Sequence, residues 1–508
     1  MIDSLTIALK RKSWVPMPSG MFGLCLMLIF LFTQGSKLLV DGNTYTHLFI
    51  GQWIIEHLDF PNTSLLSHTL TESTVTIQGW GADVLMGLAY RHCGLAGVAI
   101  LYSLLIGLLF MVLFRVLETL DIGPWIAIPM MTGTLLLLYP MLVAQPYVFS
   151  WLLGSLTFLV LCTNRRYLWT LPLIMLCWVN LHDGFALGIA LQLIFIIGRI
   201  LEKWDTAHRF DTIWNQKREL VILFLSLAVI GGNPYGYGIL QISFDSSLAS
   251  LALNDPAWKS PNLSTFLAFR LYLAILLFGL LLRKTSLRWT HLLLLLFSLE
   301  AALSCRSHVF VVAIVLLPIW RDILEPLQNR LSKFTERLKR GAGDLRLSAW
   351  SGLLFTLCLT LLLLISARVS LRGEEQLLQS FFPVSRHFPQ QAWSYIMEQR
   401  PPGQIFNEYN WGAYLVYQSH GTVPVFIDGL LHRNADKVNQ DYHKIVGLKA
   451  GCEDILDEYD VNWILFPTQA PLVRYLLVSG EWHSAYQDNQ ATVLQRITPL
   501  DSPASPSS

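Results

Sequence analysis

Asp41 is the first residue in the sequence whose type and position could do chemistry. It follows the first long apolar run directly, in the string VDGNTY. If that run crosses a bilayer, the carboxylate lies at the membrane interface. There it could act as a general base or a metal ligand beside a lipid phosphate. Taken alone, the residue is better interpreted as a solvated or helix-capping group, because DGNT is a good turn and capping sequence.

Asn180, His182 and Asp183 form a second polar cluster, in the string WVNLHDGF at the end of a short apolar run. Ionisable groups inside a membrane are costly and often mark functional sites. His182 could bind a phosphate or orient a sugar hydroxyl. A helix end capped by Asn and Asp is the structural alternative, and we give the two interpretations equal weight.

Arg270 and Arg306 are candidates for binding a phosphate, because a planar guanidinium matches the geometry of phosphate oxygens. Arg306 could instead pair with Glu300. Asp41 with Glu56 or His57 could hold Mg²⁺ or Mn²⁺, since these ions prefer oxygen ligands. No HExxH or DxD-type string supports such a site. We therefore assign no metal-binding residue and no cofactor, with Mg²⁺ or Mn²⁺ as the ion to test.

The composition excludes a soluble globular protein. Of the 508 residues 53% are hydrophobic and only 14% are charged, whereas soluble domains carry about 25% charged residues. Apolar runs suited to a bilayer recur along the first 370 residues, and the shorter ones could be re-entrant. They lie at about 21–40, 94–114, 124–142, 147–163, 167–180, 185–200, 219–232, 264–282, 288–304, 307–320 and 347–368.

Basic residues cluster in every second connection between these runs, which places those connections in the cytoplasm. The loop at 41–90 is on the opposite side, because no Lys or Arg occurs from 38 to 90. This pattern predicts a cytoplasmic N-terminus, an uncleaved first span and an extracytoplasmic C-terminus. The segment 77–90 is predicted to be an interfacial helix that leads into the second span.

The predicted fold class is mainly α: a polytopic membrane protein of about 11 transmembrane helices at 1–370, followed by a small C-terminal α/β soluble domain at 371–498. Strands are expected at 404–407, 423–428, 461–467, 482–488 and 491–497, alternating with helices. Residues 499–508 are a Pro- and Ser-rich tail, predicted to be disordered. Asn407, Trp411 and Asp428 lie at strand ends, where ligands often bind, although ordinary loop packing explains them equally well.

The sequence resembles the GT-C superfamily of membrane glycosyltransferases, and in particular uncharacterised bacterial multi-span members. The stretches that carry the resemblance span nearly the whole chain. They are DGNTYTHLFIGQWIIEHLDFP, Gln78-Gly79-Trp80, WVNLHDGF, GNPYG, FNEYNWGAYLVY and VFIDG. The chain departs from its relatives at Gly79, where they commonly have Glu, and at Leu430, where they commonly have Arg.

The resemblance implies a glycosyltransferase of the bacterial inner membrane that takes a sugar from a polyprenyl phosphate on the extracytoplasmic face. Asp41 would be the general base, and His57 and Trp80 would join the polar residues above in contacting the substrate or its lipid phosphate. The implied partners are the lipid-linked donor, a glycan, lipid or protein acceptor, and membrane lipids, with no nucleic acid. The two departures favour an alternative: an inactive scaffold of the same fold that binds a lipid or protein partner.

Overall fold

A computed structural model of the protein describes residues 18–61, 66–70, 77–207, 216–243, 259–283, 286–341, 388–399, 402–428 and 436–497. Residues 18–341 form a helical bundle, and residues 388–497 form the C-terminal domain. The bundle helices are α1 (Pro18–Thr33), α2 (Gly35–Leu38), α3 (Asn43–His57), α4 (Trp80–Thr119), α5 (Pro124–Leu138), α6 (Tyr147–Cys162), α7 (Leu171–Leu181), α8 (Phe185–Ala207), α9 (Lys217–Ala228), α10 (Gly238–Ser243), α11 (Leu267–Leu282), α12 (Trp289–Ser304), α13 (Val309–Val315) and α14 (Leu317–Gly341).

Helix α4 is the central element of the bundle. It has 40 residues, with a kink where Cys93 and Gly94 leave the helical conformation. At 1.5 Å per residue it is about 60 Å long, twice the hydrocarbon thickness of a bilayer. The predicted interfacial helix at 77–90 is therefore the first part of α4. Both α1 and α3 pack along α4, so the residues on either side of Asp41 are fixed against the longest helix.

The predicted number of about eleven full spans is wrong for the described residues. Two helices there, Trp80–Thr119 and Phe185–Asp205, are long and apolar enough to cross a membrane. A bent pair, Arg306–Val315 with Leu317–Leu331, is a third if it counts as one span. Most other runs form helices of 10–17 residues, because apolar composition continues through turns such as Tyr139–Met141 that end the helix. The run at 347–368 lies outside the described residues.

The C-terminal domain contains a four-stranded sheet in the order β1-β2-β4-β3. Strand β1 pairs with β2 in parallel, and the other pairs are antiparallel. Four of the five predicted strands are confirmed, whereas 423–428 makes only one isolated bridge, between Val425 and Ser67. The elements are α15 (Gln390–Gln399), β1 (Gln404–Asn407), α16 (Tyr409–Gln418), α17 (Asp436–Val446), α18 (Cys452–Glu458), β2 (Val461–Pro467), α19 (Pro471–Ser479), β3 (Trp482–Gln487) and β4 (Ala491–Arg496).

The C-terminal domain sits on the loop at 41–90. The hydroxyl of Thr46 donates to the carbonyl of Asp428 at 3.1 Å, and the backbone of 66–68 bonds both ways with Val425. The ring of Tyr45 packs edge-on against Phe388 and Tyr414. The described residues of the loop therefore contact the C-terminal domain directly.

Candidate active site

A cavity of about 500 Å³ lies between the helical bundle and the C-terminal domain. The bundle contributes the segment after α2, the segment before α6, and the connection between α12 and α13. The C-terminal domain contributes the start of α16 and the end of β2. The lining residues are Val40, Asp41, Gly42, Pro140, Met141, Val143, Tyr147, Arg306, Phe388, Glu408, Asn410, Trp411 and Pro467. The cavity thus contains two carboxylates and one guanidinium.

Asp41 lies in this cavity, half-buried, between α2 and α3. Its Oδ1 accepts hydrogen bonds from the backbone N–H of Asn43 at 2.9 Å and from Nε2 of Gln145 at 3.0 Å. The N-cap of α3 is Gly42, so Asp41 is a turn residue and not the helix cap. The two donors fix the carboxylate, which also lines the cavity.

The helical bundle and the C-terminal domain approach each other closely around Asp41. A Cβ atom on Gly42 would overlap the backbone carbonyl of Asn410, so only glycine fits between the domains at this position. The cavity wall next to Asp41 is therefore formed by backbone from the C-terminal domain. This contact fixes the start of α16 relative to Asp41.

Arg306 brings positive charge into the same cavity. It starts the short 3₁₀ turn Arg306–His308, and its backbone N–H donates to the carbonyl of Lys259 at 2.9 Å. The guanidinium lies over the ring of Phe266 at 5.3 Å, and its buried Nε has no hydrogen-bond partner. Within the described part of the chain it forms no ion pair with Glu300 or any other carboxylate. An arginine held by an aromatic ring, with an unsatisfied donor, is suited to binding an anion.

Glu408 is a cavity residue that the sequence analysis missed. It is the N-cap of α16: Oε2 accepts from the backbone N–H of Trp411 at 3.1 Å, and Oε1 accepts from Nδ2 of Asn410 at 3.2 Å. Burial raises the pKa of the Glu408 carboxyl to about 7, against the hydrogen bonds, which lower it. The position was detectable, because Glu408 directly follows β1 at its carboxyl end. Trp411, which was predicted, also lines the cavity.

Asn180 and Trp80 do not line the cavity but bind each other. The indole N–H of Trp80 donates to Oδ1 of Asn180 at 2.9 Å, and Nδ2 of Asn180 donates to the carbonyl of Gly232 at 3.0 Å. The backbone N–H of Ile77 donates to the hydroxyl of Tyr235 at 3.1 Å. Three of the stretches that carry the family resemblance, QGW, WVNLHDGF and GNPYG, therefore meet here as a structural junction.

His182 and Asp183 form a pair at the turn between α7 and α8. Nδ1 of His182 lies 2.8 Å from Oδ1 of Asp183 and 2.9 Å from Oγ of Ser150. The same hydroxyl accepts from the indole N–H of Trp178 at 2.7 Å. These contacts connect α6 to α7, and neither His182 nor Asp183 lines the cavity around Asp41.

His57 and Arg270 are also outside the cavity. His57 is exposed at the end of α3, where it stacks on Trp53 at 4.4 Å. His57 is the last residue of the 15-residue helix α3, about 20 Å from its start at 1.5 Å per residue. Asp41 therefore cannot share one metal ion with His57 or Glu56. No group of three or more His, Cys, Asp or Glu among the described residues could hold a metal ion. Arg270 is exposed on α11.

Asn407 and Asp428 are buried inside the C-terminal domain, each with no exposed surface. Oδ1 of Asn407 accepts from the backbone N–H groups of Phe426 and Ile427, and its Nδ2 donates to the carbonyl of Ile427. The side chain of Asn407 thus takes the place of the missing strand ladder at 423–428. Of the two interpretations given for Asn407, this geometry favours ordinary packing, because its polar atoms bind the protein backbone.

The backbone conformation explains why position 79 is a glycine. Its φ of +83° lies in the left-handed region, and a Cβ atom there would be 2.7 Å from the carbonyl oxygen of Leu181. A glutamate at position 79 would strain this backbone and force the contact with Leu181 to shift. The second departure, Leu430, lies outside the described residues.

No protein-family model matches the chain, and no curated protein matches it either. Among solved structures the fold is similar to "Crystal Structure of ArnT from Cupriavidus metallidurans bound to Undecaprenyl phosphate", with 11% sequence identity and a TM-score of 0.45. The match covers 95% of this chain and 98% of that one. At this score and identity it fixes neither the activity nor the ligand of the chain.

Proposed function

We propose that the protein is an integral-membrane glycosyltransferase that uses a lipid-phosphate-linked sugar as donor on the extracytoplasmic face. The observation that carries the proposal is that Asp41 and Arg306, far apart in sequence, line one cavity at the end of the bundle. A base and a phosphate-binding cation in one cavity are what such a transfer needs.

Arg306 would bind the phosphate of the donor. Its planar guanidinium offers parallel N–H donors to two phosphate oxygens, and the ring of Phe266 holds it in place. As the bond between the sugar's anomeric carbon and the phosphate oxygen breaks, its electron pair stays on the phosphate. The guanidinium compensates that growing negative charge.

Asp41 would act as the general base. Its Oδ1 is held by Asn43 and Gln145, so the carboxylate is oriented before substrate binds. It takes the proton from an acceptor hydroxyl while that oxygen forms a bond to the anomeric carbon on the side opposite the phosphate. The products are the glycoside, with inverted configuration, and the free lipid phosphate.

The test is the variant Asp41→Asn. Asparagine keeps an Oδ1 that can accept from Asn43 and Gln145, so the turn survives while the base is lost. We expect transfer of tritiated sugar from decaprenyl phosphate to bacterial envelope lipids and glycans to fall by about 10²–10⁴-fold. Asp59→Asn, an exposed change in the same loop, is the matched control and should leave transfer unchanged.

Binding of decaprenyl phosphate separates the two roles. Asp41→Asn should bind it as the wild type does, whereas Arg306→Ala should bind it about 10–100-fold more weakly, from the loss of charge-assisted hydrogen bonds. Full transfer by Asp41→Asn would remove Asp41 from the mechanism. Lipid binding by the wild type without transfer of any sugar tested would instead favour the inactive lipid-binding scaffold.

A further inference from the structure

The cavity contains one carboxylate that the mechanism above does not use, that of Glu408. The N–H of Trp411 and the amide of Asn410 hold its two oxygens from the C-terminal-domain side. A carboxylate accepts about four hydrogen bonds, so Glu408 can accept more from a ligand. It forms no ion pair with a Lys or Arg among the residues that the structure describes.

The surroundings of Glu408 are mixed polar and apolar. Asn410 and the apolar residues Trp411 and Pro467 line the cavity with it, and Trp411 is 6% exposed. Sugars present hydroxyl groups as hydrogen-bond donors, and a carboxylate with free acceptor positions can bind them. A cavity of about 500 Å³ is within the usual range for small-molecule sites, roughly 300–1,000 Å³.

The charged groups of the cavity come from both parts of the chain. Asp41 and Arg306 belong to the helical bundle, and Glu408 belongs to the C-terminal domain. A phosphate would be attracted to the guanidinium, which is on the bundle, and repelled by the carboxylate of Glu408 where that is ionised. The uncharged, hydroxyl-rich group attached to that phosphate would then lie against the C-terminal domain.

We propose that Glu408 forms part of the subsite for the donor's sugar, with its carboxylate accepting hydrogen bonds from the ring hydroxyls. This inference rests on the proposed function. It gives the C-terminal domain a direct part in substrate recognition, so that the bundle binds the phosphate and the domain selects the sugar.

The pH dependence of sugar binding is a second property that tests the role of Glu408. Burial raises the pKa of this carboxyl to about 7. Hydroxyl donors favour the ionised form, so sugar binding should be stronger at pH 8 than at pH 6. In Glu408→Gln that pH dependence should be lost.

The experiment compares two kinds of lipid with the full-length protein in detergent. The probes are decaprenyl phosphate alone and decaprenyl phosphates carrying glucose, mannose or arabinose. We expect Glu408→Gln to weaken binding of the wild type's preferred sugar-bearing lipid about tenfold and to leave binding of decaprenyl phosphate unchanged. Glu398→Gln, at an exposed position of the same domain, is the matched control and should change neither.

The possible outcomes test the sugar subsite and the proposed function separately. Equal weakening of both kinds of lipid by Glu408→Gln, or no weakening of either, would overturn the sugar subsite. A wild type that binds the sugar-bearing lipids no better than decaprenyl phosphate would overturn it as well. A wild type that binds neither kind of lipid would instead overturn the proposed function. Glu408→Asp keeps the charge and separates the two effects, since it should retain the pH dependence that Glu408→Gln loses.

Discussion

The substitution Gly79→Ala tests why this chain has glycine at a position where the sequence resemblance led us to expect glutamate. The new Cβ would have two costs. At φ +83° an L-residue is in the left-handed region, which costs about 1–2 kcal/mol. The Cβ would also lie 2.7 Å from the carbonyl oxygen and 3.2 Å from the carbonyl carbon of Leu181, and forced overpacking of this kind typically costs about 1–3 kcal/mol.

The neighbour is backbone, so it cannot rotate away as a side chain could. We therefore expect Gly79→Ala to lower the free energy of unfolding by about 2–4 kcal/mol. Gly79→Glu should destabilise at least as much and should not increase transfer. The measurement is unfolding of the purified protein by SDS titration in mixed micelles, followed by circular dichroism.

Substitutions at two further glycines separate the cost of the left-handed backbone from the cost of the close contact. Gly236 has φ +57°, and a Cβ atom added there would have no neighbour within 4 Å, so Gly236→Ala should show only the conformational cost, about 1 kcal/mol. Gly133 lies in α5 with open space around it and no positive φ, so Gly133→Ala should be neutral or slightly stabilising. If Gly79→Ala is no less stable than Gly236→Ala, the close contact with Leu181 does not constrain position 79.

Three other predictions concern the C-terminal domain and its contact with the bundle. The pKa of Glu408 is about 7 in the folded protein against an ordinary 4.5. Because the folded state favours the protonated carboxyl, Glu408 stabilises the fold below about pH 4.5, and this stabilisation is lost as the pH rises through 7. The free energy of unfolding of the wild type, relative to that of Glu408→Gln, should therefore fall by up to about 3 kcal/mol between pH 4 and 8. Asn407→Ala should lower the free energy of unfolding by about 3 kcal/mol or more, because buried backbone groups at 426 and 427 lose their partner; a loss below about 1 kcal/mol would contradict this. The hydroxyl of Tyr417 donates to that of Tyr90 at 2.6 Å, so a double-mutant cycle with both changes to Phe should give a coupling energy of about 1 kcal/mol, and additive effects would show that the bond does not tie the domain to the bundle.

Most strands of the C-terminal domain could be predicted, because each is marked by a short apolar run within its own sequence. The segment VNWILFP is a short, bounded apolar run, and it forms the central strand β2 as expected. The segment 423–428 has a similar apolar composition but forms no strand, because the side chain of Asn407 and the backbone of 66–68 take its hydrogen bonds. The partners at 66–68 are hundreds of residues away along the chain and leave no mark in local composition.

In the helical bundle, too, local composition did not predict where the helices begin and end. Apolar composition predicts where the chain enters lipid, but the end of a helix depends on the turns and contacts there. Composition therefore extended the run at 124–142 past the end of helix α5, began the run at 167–180 before the start of α7, and split α4 into an interfacial and a spanning piece.

Residue type and apolar patterning predicted a membrane-type helical protein with a small sheet domain and identified Arg306 and Trp411 as candidates, because type and patterning are local properties of the chain. Asp41 became the predicted base only through the resemblance to a family. Which of the candidates share a cavity depended on the fold. The fold brought those three together with Glu408, paired Asn180 with Trp80 and buried Asn407. The physical reason is that a site is formed by the packing of distant segments, here by the close approach of Gly42 to the backbone of Asn410, which no spacing in the sequence encodes.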